Sequence, residues 1–113
     1  MKKIFISGSG GFIGSELANG FKKLQFEVHA LDKKIDKKIF SPGIFIYKLD
    51  LAKYIKRNKL KNIDYFIHAA AITNPKNISI KKNLININLS LTLSSLILAK
   101  KMNVKKYYYI SST

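Results

Sequence analysis

The most constraining feature of this chain lies at its start. Lys3 to Ser7 is a short β-branched and aromatic run, Gly8, Gly11 and Gly14 follow at once, and Ile13, Leu17, Phe21 and Leu24 then recur at helical spacing. A strand that passes through glycines directly into a helix has a separate use for each of them. Gly8 permits the tight turn, Gly11 lets a second group approach the backbone, and Gly14 lets the helix pack close against the strand. The backbone amides near Phe12 and Ile13 then form a positive helix end, suited to phosphate groups.

The rest of the chain repeats the alternation. Glu27 to Leu31 reads as a second strand ending at Asp32, Ile44 to Leu49 as a third, Ile63 to His68 as a fourth and Tyr107 to Ile110 as a fifth. Between the second and third lies a lysine-rich Pro-Gly segment, Lys33 to Gly43, and Leu51 to Leu60 reads as a short helix. Ile85 to Leu93 alternates with period two, which taken alone predicts a strand. The interval from Ser79 to Met102 is too long for one strand, and parallel strands need a crossover of about a dozen residues or more, so a helix is expected, with Leu84, Ile87, Leu91 and Leu98 on one face. The fold class is therefore α/β: a Rossmann-type doubly wound parallel sheet of five strands in the order 3-2-1-4-5, forming one domain over residues 1–113.

In that fold an acid at the end of the second strand, about twenty residues beyond the glycines, accepts hydrogen bonds from an adenine ribose, and Asp32 stands there. The turn and Asp32 together predict a dinucleotide site, with NAD expected over NADP because a carboxylate repels a 2′-phosphate. Singly, the polar residues also have plainer readings: Asp50 as a helix cap, His68 as a core histidine, Asn88 as a polar residue of the crossover helix.

Five segments in order resemble the extended short-chain dehydrogenases/reductases, especially the NAD-dependent nucleotide-sugar epimerases and dehydratases. Ser7-Gly8-Ser9-Gly10-Gly11-Phe12-Ile13-Gly14 is similar to that family's (S/T)-G-x-x-G-x-x-G turn, and Asp50-Leu51 to its adenine-contacting pair. Asp64 through Ala71 resembles its fourth strand and the alanine-rich turn that lines the cofactor, here Ala69, Ala70 and Ala71. Asn88 to Thr92 resembles its Asn-x-x-Gly-Thr helix signature with Leu91 in place of glycine, and Ser111-Ser112-Thr113 its strand-five hydroxyl run, whose third member is catalytic. The resemblance implies that the complete enzyme oxidises a sugar hydroxyl by transient hydride transfer to the cofactor, with Thr113 at the reacting oxygen and Ser111 and Asn88 toward the cofactor. It also implies a nucleotide-sugar partner and a homodimer built on helices beside strands four and five. The family's Tyr-x-x-x-Lys pair is absent: no tyrosine here has lysine four positions later. The expectation is an amino-terminal portion that stops after strand five and is inactive alone. The alternative is a catalytically silent dinucleotide-binding module that senses cofactor or partners another chain.

Composition narrows the classes further. The net charge is +15, but Arg57 is the one arginine among 21 basic residues, and the lysines fall in scattered pairs such as Lys22-Lys23 and Lys100-Lys101. Nucleic-acid readout leans on the arginine fork, so no nucleic-acid partner is expected. Cysteine is absent, which excludes disulfides, thiolate catalysis and cysteine-held metals and suits a reducing cytoplasm; no metal is expected. Ser7 to Gly11 ends the first apolar run too early for a signal peptide, and polar residues interrupt Leu84 to Ala99, so no membrane segment is expected.

Overall fold

The computed structural model describes residues 1–69 and 78–110 and, within them, side chains other than those of residues 78–86 and 88. Five strands, β1 (Lys3–Ser7), β2 (Glu27–Asp32), β3 (Phe45–Lys48), β4 (Tyr65–His68) and β5 (Lys106–Tyr109), alternate with helices α1 (Phe12–Lys23), α2 (Leu51–Arg57) and α3 (Ile78–Lys101). All four strand pairings are parallel, and the order across the sheet is β3-β2-β1-β4-β5, as the alternation predicts. Ser7 sits beside Leu31 on one side and His68 on the other, so the first glycine lies where the strand order reverses.

Each face of the sheet carries its own core. Ile4, Ile6, Val28, Ala30 and Ile67 pack with Ala18 of α1, while Phe5, Leu31 and Phe66 pack with Leu51 and Tyr54 of α2, with Leu98 and Ala99 of α3, and with Met102 in the turn that follows α3. β1, buried from Ile4 to Ser7, is apolar toward both faces, the expected signature of a central parallel strand.

The segment expected as a helix against its own periodicity is α3. A pattern of period two wound at 3.6 residues per turn spreads apolar residues around the whole helix. Leu91 and Leu98 face the sheet, Ile87 lies half-exposed rather than in the core, and Leu84's side chain lies outside the described ones. α2 ends at Arg57, short of Leu60, because Asn58 turns the chain: its side chain accepts from Leu60 N–H and donates to the Leu60 carbonyl. The 33–43 segment holds an unanticipated 3₁₀ turn, Lys37–Ile39, capped by Asp36 and tied to α1 by Asn19, which donates to the Ile39 carbonyl and accepts from Ser41 N–H.

Candidate functional site

The turn between β1 and α1 is held from below. Gly8 adopts φ +79°, a left-handed conformation that a side chain disfavours, and the Gly8 and Ser9 amides both donate to the Leu31 carbonyl, at 2.8 and 3.2 Å. Gly14 packs so tightly that a Cβ there would overlap the Gly8 carbonyl oxygen and lie 2.6 Å from Ser9 Cα. Gly11 is different. Among the described residues a Cβ there would meet only the Gly8 carbonyl oxygen, at 3.6 Å, an ordinary van der Waals contact. Gly14 is thus required by the packing of the turn, whereas no described residue crowds Gly11.

Gly11 is also the N-cap of α1, with no side-chain acceptor and no acid in the first turn. The opening amides of a helix have no partner within it, and α1 leaves them to the outside, beside a Phe12 ring that is 81% exposed and a half-exposed Ile13. α2 shows the contrast: Asp50 caps it conventionally, accepting from Lys53 N–H at 2.8 Å. Asp50 is therefore a helix cap, and with Leu51 it also lines a crevice of about 270 Å³. Ser7, Gly8, Leu31, Asp32, Lys33 and Leu49 share that lining, and Ile87 and Leu91 close it from α3. The crevice lies beyond the carboxyl ends of β1, β2 and β3, on the β2 side of the switch in strand order between β1 and β4, the end of the sheet where open α/β folds take their ligands.

Among the described residues Asp32 and Asp50 are the acids of that lining. Asp32 Oδ2 accepts from Gly10 N–H at 3.0 Å and Oδ1 faces Lys34 N–H at 3.4 Å, so both oxygens are oriented by the backbone. Sequence spacing does not show the Gly10 contact, because the turn and the second strand meet only after folding. Ala69 follows β4, its amide donating to the Ser7 carbonyl at 2.8 Å. Of the remaining expected residues, Asn88 lies in α3 with its side chain outside those described, and Ala70, Ala71, Ser111 and Thr113 lie outside the described residues.

His68 is buried, its Nδ1 2.7 Å from Ser7 Oγ and its Nε2 without a hydrogen-bond partner among the described residues. Burial pushes its pKa down to about 4. The plainer reading of this residue, a core histidine, describes its place: it links β1 to β4 directly under the glycine turn.

The residues present fit a dinucleotide. An uncapped helix end meets phosphate, an open glycine permits its approach, and an oriented carboxylate stands one strand away for a ribose. Fold and site together define a Rossmann-type nucleotide-binding protein. The family comparison makes this specific: residues 4–113 match the NAD dependent epimerase/dehydratase family, and the chain belongs to that family. Among solved structures, it is similar to an epimerase from Methanothermobacter thermautotrophicus (24% identity, TM-score 0.83, 98% of this chain and 35% of that one). It is also similar to a UDP-N-acetylglucosamine 4-epimerase from Methanobrevibacter ruminantium in complex with UDP-N-acetylmuramic acid (25%, 0.75, 94% and 36%). A third is the UDP-glucose 4-epimerase from Bifidobacterium longum in complex with NAD+ and UDP (22%, 0.79, 99% and 37%). The chain thus spans little more than a third of the length of these proteins. No curated protein matches it. Among the described residues no helix is long and apolar enough to cross a membrane.

Proposed function

We propose that this chain is the cofactor-binding part of an NAD-dependent epimerase or dehydratase acting on a nucleotide sugar. The observation that carries the reading is the uncapped N-terminus of α1 at Gly11, opening beside a carboxylate that the backbone already orients. Gly8, Gly11 and Gly14 shape the turn, the Phe12 and Ile13 amides receive the pyrophosphate, and Asp32 accepts from the adenosine ribose. Asp50 and Leu51 flank the adenine, and by family resemblance Ala69, Ala70, Ala71, Asn88 and Ser111 line the remainder of the cofactor's path. NAD, when bound, supplies a hydride acceptor that later returns what it took. Thr113 hydrogen-bonds the substrate oxygen in this reading, and the proton passes to a Tyr-x-x-x-Lys pair that residues 1–113 do not contain. NAD is the expected cofactor over NADP, the nucleotide sugar the expected substrate, and a homodimer through α3 the expected assembly.

Calorimetric titration of the chain with NAD tests the reading. Saturable binding that is lost in Gly11→Val while the fold persists supports it; no binding by the folded wild-type chain refutes it.

A further inference from the structure

We propose that Gly10 is a specificity-determining residue: having no side chain, it lets the Lys34 carbonyl and the Asp32 carboxylate close onto the glycine turn, and this closure holds the acid for a ribose diol. The inference rests on the dinucleotide reading above and deepens it, since it moves cofactor choice from the presence of Asp32 to the way Asp32 is held.

The contacts are specific. Gly10 N–H donates to Asp32 Oδ2 at 3.0 Å, and Lys34 N–H faces Oδ1 at 3.4 Å. Each carboxylate oxygen has two acceptor sites, so each has one engaged by a backbone amide and one left over. Two free acceptor sites side by side match the two adjacent hydroxyl donors of a 2′,3′-diol. A 2′-phosphate offers no hydroxyl at that position and brings like charge, so it is accepted only if Asp32 swings aside. Swinging aside breaks both amide contacts. It would also expose the phosphate to Lys33, which lines the same crevice, and to Lys34 next to it. The chain therefore carries both an NAD-type acid and cations suited to NADP, and the closure at Gly10 decides which of them faces the ribose.

Gly10 is required by contact, not by backbone conformation. It is absent from the positive-φ glycines, which are Gly8 and Gly43, so alanine can adopt its backbone. An alanine methyl would, however, overlap the Lys34 carbonyl oxygen and stand 2.8 Å from Asp32 Oδ2. Either the loop after β2 lifts or the carboxylate turns, and both free the acid from its present pose.

The experiment is calorimetric titration of the purified chain with NAD and, separately, NADP, for wild type, Gly10→Ala and Asp32→Asn, with circular dichroism of each. A wild-type spectrum of the Gly10 amide by NMR is recorded across the ionisation of Asp32. Asp32→Asn keeps a side-chain oxygen for the Gly10 amide and removes the charge, so NADP binding should tighten. Gly10→Ala should weaken NAD roughly tenfold, the scale of a lost hydrogen bond to a charged group, without weakening NADP, so the preference narrows by about the same factor. The Gly10 amide resonance should follow protonation of Asp32 and keep its hydrogen-bonded position with NAD bound. A folded Gly10→Ala that binds both dinucleotides as wild type does, while Asp32→Asn changes the preference, overturns the Gly10 proposal and leaves the dinucleotide reading standing. Wild-type chain that binds neither cofactor overturns both. Should Gly10→Ala fail to fold, the amide resonance decides: indifference to Asp32 ionisation refutes the closure.

Discussion

Gly11 and Gly14, three residues apart in the same turn, differ in what a side chain there would meet, and that difference makes them testable. Gly11→Val should leave the thermal midpoint nearly unchanged, because among the described residues a Cβ there makes only an ordinary contact with the Gly8 carbonyl oxygen, while abolishing NAD binding in calorimetry. Gly14→Ala should do the reverse, since its methyl would overlap the Gly8 carbonyl oxygen; overpacking of this kind costs about 1–3 kcal/mol, read as a lower denaturation midpoint. His68 supplies a pH prediction. Its folded pKa of about 4 lies below the ordinary 6.5, so the unfolded chain binds the extra proton first and stability rises with pH across that window. The full contribution is about 3 kcal/mol, present above pH 6.5 and lost as pH falls toward 4. Urea denaturation of His68→Gln beside wild type should show a flatter pH profile. His29, also held neutral by burial, contributes in the same direction in both proteins and leaves the difference between them to His68.

Among the elements, α3 carries the clearest lesson about what a sequence discloses. Its period-two alternation points to a strand, and only the length of the interval and the need for a parallel crossover point to a helix. Topology was therefore legible there where local pattern was not. The same alternation leaves Leu89, Leu93, Leu96 and Ile97 half-exposed along the helix, while Leu98 and Met102 are buried. A helix apolar all round is ordinarily covered on every side. We expect the chain to self-associate through this face, and Leu93→Glu should shift its mass toward monomer in light scattering without altering the circular dichroism. Unchanged association in that variant would remove α3 from the interface. The glycine turn was legible because it arises from short-range chemistry, and the strand order because the alternation of strands and helices follows the rules of parallel crossovers. The Gly10–Asp32 contact and the Ser7–His68 pair were not, since each joins residues that only the folded sheet brings together.

For the molecule as a whole, the site legible in the sequence is the half that binds. Glycines and an acid have fixed places relative to strands, so a dinucleotide site shows itself in spacing; a substrate lobe has no such grammar. Residues 1–113 should bind NAD and show no turnover with a panel of nucleotide sugars, because a general acid–base group contributes roughly 10²- to 10⁴-fold in rate and its Tyr-x-x-x-Lys pair is missing from them. NADH formed by the chain alone would refute this. Finally, a helix that begins on glycine with no capping side chain begins with an unmet demand for an acceptor, and among the described residues no side chain caps the start of α1. An anion bound at those amides would stabilise the folded chain over the unfolded one. At equal ionic strength pyrophosphate should raise the melting temperature more than chloride does, and the increment should shrink in Gly11→Val; the resting stability of this protein becomes a property of the buffer as much as of the chain.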